Sequence, residues 1–239
     1  MLIKRQTDKG LPVYSNTGSD TFITETGEEL VRVEGLVGSN IQTFRLKNEG
    51  AFTRYRYIKE QDRWELIAKS GLRYFLGARL DNTDVTARII NTQKNSTYAW
   101  YLAEVRDLNN NQVLYGYEKD QNQVYCNQIN YNFDTGTGSP SSGHQINLIY
   151  ELRSDPVIDY RPTFRMVTAK RLKQIDIKTS GALVRRYTLD YLAGRTVSLL
   201  SRFTQFGADG VTSLPSAEFS YTQQALTSSS QLKSIAGLS

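Results

Sequence analysis

The chain has 239 residues, with 29 Lys and Arg against 24 Asp and Glu and a formal net charge of +5. The basic residues are scattered singly or in pairs, whereas nucleic-acid binders concentrate them, so we predict no nucleic-acid partner. A single cysteine excludes an internal disulfide. No stretch has the roughly 18 consecutive apolar residues of a membrane span, and the first residues lack the apolar core of a signal peptide.

The composition indicates an all-β protein. There are 15 Tyr and 9 Phe but only 5 Pro, and aromatic and β-branched residues favour pleated, half-buried strands. All-β chains of this length often form one domain. We therefore predict a single domain over residues 1–239, built from consecutive antiparallel hairpins that form a large curved sheet.

The first third of the chain reads as strands separated by turns. Residues 1–43 are interrupted by glycines and form a loop-rich entrance, with strands at "DTFI" and "EELVRV". Between residues 43 and 77, large apolar and charged residues alternate around turns at Glu60–Asp62 and Ser70–Gly71, which predicts a three-strand meander. Residues 80–99 are the best helix candidate, although their β-branched residues leave a strand or a loop open.

A short motif, Leu-x-x-[Val/Ile/Phe], recurs along the chain, and in its first three copies a turn and a return strand follow. The first two copies align without a gap over most of their length, which places Tyr117 opposite Tyr187. Repeated hairpins predict stacked strands that share one core. Because the last copy is unfinished, we expect the chain to be truncated from a longer one, with exposed strand edges available for self-association. The four copies are Leu102/Val105, Leu172/Ile175, Leu200/Phe203 and Leu232/Ile235.

The sequence offers few groups for catalysis. We expect residues 134–144 to form an exposed flexible loop, because "DTGTGSPSSG" lacks an apolar anchor, and the strand after it to stop at Asp155–Pro156. The single histidine, His144, lies in this loop, whereas a general base must be held by another group. One His and one Cys leave no imidazole or thiolate cluster for a metal. We therefore predict no catalytic residue, no metal, no cofactor and no enzymatic activity.

Aspartates beside predicted turns have a simpler explanation than a catalytic pair, because turn aspartates bind their own backbone. These residues are Asp107, Asp155, Asp159, Asp190 and Asp209.

Aromatic residues on the predicted strands allow two interpretations. They pack in the core and pair across strands, or they form an exposed platform on which sugars stack. The second interpretation gives the alternative function, a carbohydrate-binding or adhesion module. The candidates are Trp64, Tyr74, Trp100, Tyr101 and Tyr115.

Several segments occur in an order typical of one family. The chain contains "LIKRQTDKGLPVYSNTGSDTFITETGEELV", then "TFRLKNEGAFTRYRYI" and "RWELIAKSGLRYFLG", and later "WYLAEVRDLNNNQVLYGYE". This succession resembles the SpvB-type N-terminal region of the B components of insecticidal toxin complexes and of related RHS-repeat proteins. Through "IYELRSD", "RLKQIDI" and "VRRYTLDY" the resemblance extends over nearly the whole chain.

The resemblance implies a function without a reactive site. Such proteins form part of a hollow RHS-like β-shell that encloses a toxic polypeptide, with a β-propeller following this region. The glycine-rich segment that precedes the family's opening motif, the propeller, the main RHS array and any effector domain are missing here, as are the Ser-Thr-Ser and Glu-x-Glu motifs of an ADP-ribosyltransferase. We therefore expect a non-enzymatic shell segment of a secreted toxin assembly, partnered by its propeller, shell and enclosed effector.

Overall fold

The computed structural model describes residues 1–15, 20–36, 38–133, 142–193 and 197–222, which form sixteen β-strands and no α-helix. Every strand pairing is antiparallel, which confirms the predicted all-β fold of consecutive hairpins. The strands are β1 (Leu2–Arg5), β2 (Phe22–Thr24), β3 (Glu29–Glu34), β4 (Ile41–Leu46), β5 (Arg54–Ile58), β6 (Arg63–Ile67), β7 (Arg73–Leu76), β8 (Arg88–Asn91), β9 (Ser96–Arg106), β10 (Gln112–Asp120), β11 (Gln123–Tyr131), β12 (His144–Asp159), β13 (Met166–Thr179), β14 (Ala182–Tyr191), β15 (Leu200–Phe206) and β16 (Ala217–Glu218).

The N-terminal strands close into a barrel of eight strands, formed by β1 to β7 together with β9. Closure follows because β1 pairs with both β2 and β9. Alternate residues of each strand point inward, and the interior is filled by a cluster that includes Phe44, Trp64 and Trp100. Closure removes the free edges that a sheet of this size would otherwise expose.

Strand β9 is the branch point of the fold. Ala99 and Trp100 pair with both β1 and β8, so these two strands lie on opposite edges of β9. Further along β9, Glu104 to Arg106 pair with both β7 and β10. The barrel therefore ends at β9, and an open sheet begins from the same strand and continues through β10 to β16 in chain order.

The turn of the long β12–β13 hairpin packs against the outside of the barrel and so connects the open sheet to it. The Tyr14 hydroxyl donates to the Pro162 carbonyl at 2.5 Å, and the rings of Tyr98 and Phe164 meet edge to face at 6.3 Å. A second buried cluster forms around these contacts and includes Ile89, Ala99 and Val124. The barrel and the open sheet are thus joined by β9, which belongs to both, and by this contact on the outside of the barrel.

Gly77 shows how closely the barrel is packed. This residue follows β7 with φ +87°, in the left-handed region that favours glycine, and a Cβ there would collide with the indole of Trp100. Its amide donates to the Tyr101 carbonyl at 2.7 Å. The glycine therefore allows the chain to turn directly against the largest side chain of the interior.

Several expectations were wrong in detail. Residues 80–99 contain no helix; β8 and the start of β9 lie there, because "ARII" and "STYAWY" supply β-branched and aromatic side chains. Residues 43–77 contribute to four strands rather than three. Strand β12 does not stop at Asp155–Pro156; the pairing with β13 slips between Leu152 and Val157, and the bulge accommodates the proline.

The predicted loop 134–144 falls partly outside the described residues, as does the fourth motif copy at Leu232. His144 is not in a loop, because it is the first residue of β12 and lies opposite Tyr131 and Thr179.

Candidate functional site

The open sheet has one face made mainly of apolar side chains, which we call the apolar face. Cross-strand pairs join Ile146 to Ile177 and Ile175 to Tyr187, and Tyr187 stacks on Phe203 at 5.2 Å. Each of these side chains remains only half-buried. The apolar face comprises Ile129, Ile146, Leu148, Ile175, Ile177, Tyr187, Leu189 and Phe203.

The apolar face is continuous with the interior of the barrel. Tyr115 on β10 lies opposite Ile129 and packs against the barrel core. Val105 and Tyr74, which pair across β9 and β7, contact the same core. In the described part of the chain, the barrel interior has a complete ring of strands around it, whereas no second layer buries the apolar face.

The opposite face of the open sheet, which we call the polar face, carries hydrogen-bonded side chains. Arg186 donates two hydrogen bonds, of 2.8 and 2.9 Å, to the Asp176 carboxylate. This pairing lowers the pKa of Asp176 below its usual range. Gln128 donates to Asn147 at 3.2 Å. The polar face comprises Gln128, Asn147, Gln174, Asp176, Arg186, Thr188 and Thr204.

A tyrosine hydroxyl donates to the leucine carbonyl in each of the first three motif copies. The donating side chain lies on the return strand in the first two copies and three residues after β16 in the third, just past the point where the paired strands separate. Burial raises the pKa of Tyr117 and of Tyr191 above the usual value, so both remain protonated donors at neutral pH. The bonds join Tyr117 to Leu102 at 2.6 Å, Tyr191 to Leu172 at 2.6 Å and Tyr221 to Leu200 at 2.8 Å.

The three units, which we call tyrosine clamps, share one register. In each unit, the residue two positions after the leucine forms the first pair with the return strand. The tyrosine lies three residues after the return-strand residue of that pair. The gap-free alignment was therefore wrong in one respect, since the equivalent of Tyr117 is Tyr191 rather than Tyr187. The first ladder pairs are Glu104 with Leu114, Gln174 with Thr188, and Arg202 with Glu218.

The two tryptophans lie in the barrel interior and are completely buried. Their rings meet edge to face at 6.1 Å, with an interplanar angle of 76°. Phe22 and Tyr57 pack against both of them. Neither Trp64 nor Trp100 is exposed for stacking on a sugar. The two largest side chains proposed for the alternative carbohydrate-binding function are therefore not available for it.

The three tyrosines of the aromatic set are divided between the two cores. Tyr74 and Tyr115 are partly buried against the barrel interior. Tyr101 belongs to the outer cluster, where its ring lies 5.9 Å from that of Tyr117, and burial raises its pKa to about 12. The sequence-predicted aromatics therefore do not converge on one surface.

Sequence reasoning missed the most connected polar residue of the barrel, Asp62. Its carboxylate accepts hydrogen bonds from Trp100 Nε1 and Arg88 at 2.8 Å and from the Tyr57 hydroxyl at 2.9 Å, and it also accepts from Thr97. Burial and the neighbouring carboxylate raise the pKa of Tyr57. The signal in the sequence was Asp62 at a predicted turn beside an aromatic strand, and it was interpreted only as a turn residue.

The polar residues considered for chemistry have structural partners. His144 Nδ1 lies 2.9 Å from Thr179 Oγ1, and its ring packs 5.2 Å from Tyr131. Asp107, Asp159 and Asp209 accept from backbone amides of their own turns.

Asp155 differs from the other turn aspartates. It accepts two bonds from Arg153 and two from Ser198, and these bonds lower its pKa. Among the described residues, no group of three His, Cys, Asp or Glu side chains is placed to hold a metal ion. The same residues include no helix long and apolar enough to cross a membrane.

Solved structures share this arrangement of strands. The N-terminal domain of the effector protein SpvB from Salmonella typhimurium strain LT2 matches with a TM-score of 0.72 and 18% identity, covering 87% of this chain and 86% of that one. A TcdB2-TccC3 structure matches with a TM-score of 0.74 and 23% identity over 92% of this chain. The Photorhabdus luminescens Tc holotoxin pore matches with a TM-score of 0.76 and 22% identity over 92%.

The chain covers only 14% of the TcdB2-TccC3 and holotoxin chains. Among curated proteins, none matches this sequence. The family profile described as SpvB, Salmonella virulence plasmid 65kDa B protein, matches residues 1–145, which contain the whole barrel and the start of the open sheet. The chain therefore belongs to the SpvB family.

Proposed function

We propose that this chain is a non-enzymatic wall segment of a larger bacterial toxin assembly, which helps to enclose and deliver a toxic polypeptide. The observation that carries the proposal is the apolar face, where Ile146, Ile175, Ile177 and Phe203 are only partly buried on a sheet that forms a single layer among the described residues. A soluble sheet normally buries such a face against another element. An enclosed, incompletely folded polypeptide supplies apolar side chains of its own for this face.

The lengths of the matching structures support this proposal. This chain corresponds to a small part of the much longer TcdB2-TccC3 and holotoxin chains. Remaining parts of such an assembly, namely a propeller, further RHS strands and an effector, are the partners we propose. Secretion as part of that assembly belongs to the same proposal.

We further propose that the segment has no catalytic role. Among the described residues, His144 is held by Thr179 and Tyr131 at the start of β12, and no carboxylate of these residues orients it as a base. The most connected carboxylate, Asp62, is bound by four protein donors and serves the packing of the barrel.

The test measures binding of an unfolded polypeptide to the two faces of the open sheet. The probe is reduced, carboxymethylated α-lactalbumin, and its affinity is followed by fluorescence anisotropy. The double variant Ile146→Ser/Ile177→Ser removes apolar surface from the apolar face, and we expect it to weaken binding roughly tenfold, since burial is worth about 25 cal/mol per Å². The matched control, Gln174→Ser/Thr188→Ser, changes the polar face and is expected to bind like the wild type.

Two results would contradict the enclosing role. One is an absence of saturable binding by the wild type, and the other is an equal loss of affinity in both double variants. Circular dichroism checks that each variant keeps its strands.

A further inference from the structure

The barrel has a cavity at the end where the β5–β6 turn lies, separate from the apolar face. Its volume is about 280 Å³, and it is lined by residues from β1, β4, β5, the β5–β6 turn and β9. Mouths of β-barrels are frequent sites for small ligands, because several strands bring side chains to one opening. The lining includes Arg5, Gln42, Tyr57, Lys59 and Ser96.

Arg5 is the fixed cation of this cavity. Its residue surface is only 8% exposed, and its guanidinium lies 5.0 Å from the Tyr14 ring and 5.4 Å from the Phe22 ring. It donates from Nε to the Thr97 carbonyl at 2.7 Å, from Nη1 to Asp20 at 2.5 Å and from Nη2 to Ser96 at 3.3 Å. A guanidinium has five N–H groups, and the described residues accept from three of them.

The two carboxylates of the cavity are already occupied by donors. Asp62 accepts from four protein groups. Asp20 accepts from the backbone amides of Val13 and Tyr14, both at 2.8 Å, as well as from Arg5. Neither acid therefore has much capacity left to receive hydrogen bonds from a ligand.

The side chains that line the cavity carry two positive and two negative charges, Arg5 and Lys59 against Asp20 and Asp62. Asp20 is paired with Arg5, and Asp62 is paired with Arg88 outside the lining, so Lys59 is the cation that no carboxylate of the described residues pairs with. Lys59 is exposed, and its ammonium donates to the Gly38 carbonyl over 3.4 Å. Spare donors and spare positive charge at the opening favour a ligand rich in acceptors and negatively charged.

We propose that this cavity binds a small molecule through a carboxylate or phosphate group, with Arg5 as the buried anchor and Lys59 as the cation at the rim. The proposal is independent of the wall function, because it concerns the opening of the barrel rather than the open sheet. Carboxylate and phosphate share the chemistry that a guanidinium fork recognises.

The test is isothermal titration of the 239-residue chain with inorganic phosphate, citrate, glucose 6-phosphate and uncharged glucose. We expect saturable binding of at least one of the three anions, tighter than the binding of glucose and weakened by added NaCl. Binding of citrate alone assigns a carboxylate, and binding of the two phosphates alone assigns a phosphate ester or the free ion.

Lys59→Gln and Lys69→Gln form the matched pair of variants. Both lysines are exposed and both substitutions remove one positive charge, but Lys69 lies in the β6–β7 turn at the other end of the barrel. We expect Lys59→Gln to weaken anion binding roughly 2- to 5-fold, the range of a surface charge pair, and Lys69→Gln to leave it unchanged. Arg5→Lys keeps the charge but removes the fork, and we expect a larger loss.

Any of three results overturns the proposal. The first is no saturable binding of any of the three anions up to about 10 mM, which lies beyond a millimolar dissociation constant. The second is equal weakening by Lys59→Gln and Lys69→Gln, and the third is glucose binding as tightly as glucose 6-phosphate. If Arg5→Lys does not fold, the lysine pair still decides.

Discussion

The closed barrel and the open sheet are made of the same kind of strand but bury very different amounts of it. In the barrel, Trp64, Leu76 and Trp100 are completely buried, whereas in the open sheet Ile175, Ile177 and Phe203 are only partly buried. The difference comes from closure. A barrel provides its own second layer, whereas no second layer of the described residues covers the apolar face of the open sheet.

Trp100→Ala tests the barrel half of this comparison and should have the largest effect. The substitution leaves a cavity among Phe22, Tyr57 and Trp64, and it also removes a donor to Asp62. We expect the free energy of unfolding in urea to fall by about 3–5 kcal/mol. The control Tyr160→Ala changes a side chain that is 62% exposed, and we expect a change of less than about 0.5 kcal/mol. Similar losses for both would mean that the barrel interior does not dominate stability.

Leu66→Ala and Ile175→Ala compare the two regions directly. Leu66 is 3% exposed inside the barrel, so its truncation should cost about 2–4 kcal/mol. Ile175 lies on the apolar face and is only partly buried, so we expect a smaller loss, below about 1.5 kcal/mol. The measurement is equilibrium urea unfolding of both variants. An equally large loss for Ile175→Ala would show that the open sheet buries this face in solution without a partner.

Tyr191→Phe removes one tyrosine clamp and keeps the ring. The Leu172 carbonyl loses a donor where β13 and β14 separate, so we expect a loss of about 0.5–1.5 kcal/mol in unfolding free energy. Hydrogen exchange should speed up in the neighbouring part of β13 and β14, but not in the barrel. Tyr160→Phe, outside any clamp, serves as the control. Faster exchange throughout the barrel would contradict a local role for the clamp.

The pH dependence of the polar face should give the smallest effect. Arg186 holds the pKa of Asp176 below its usual range, so the carboxylate stabilises the fold fully above its unfolded pKa of about 4. This contribution is lost as the pH falls through the lower folded-state value. At pH 7 we expect the free energy of unfolding of the wild type to exceed that of Asp176→Asn by about 1 kcal/mol or less. The difference should shrink towards zero as the solution is acidified below about pH 4.

Urea unfolding of both proteins at several pH values measures this difference. A gap between them that widens on acidification would contradict the assigned role of the Arg186 pair.

Local signals in the sequence predicted much of the fold. The alternation around Tyr55 and Tyr57, the turns at Asp62 and Gly71 and the hairpins after Leu102 and Leu172 all occur. These features depend on neighbours that are close in the chain. The family resemblance added the correct family through the order of its motifs.

Features that depend on distant contacts were not predicted. Closure through β1 and β9 joins Ile3 to Trp100, and no local pattern records that pairing. The helix expected within residues 80–99 was wrong because short apolar runs do not distinguish a helix from a strand. Asp62 was overlooked because three of its donors, Arg88, Thr97 and Trp100, lie far along the chain.

The tyrosine clamps have a consequence for how such a chain can change over generations. Each clamp fixes where a pair of strands separates, yet the leucine and tyrosine are 15, 19 and 21 residues apart in the three units. Insertions and deletions at a hairpin tip therefore leave the base of the hairpin in place. A lineage can lengthen or shorten one hairpin without displacing the next, so individual units can diverge in size while the sheet stays continuous.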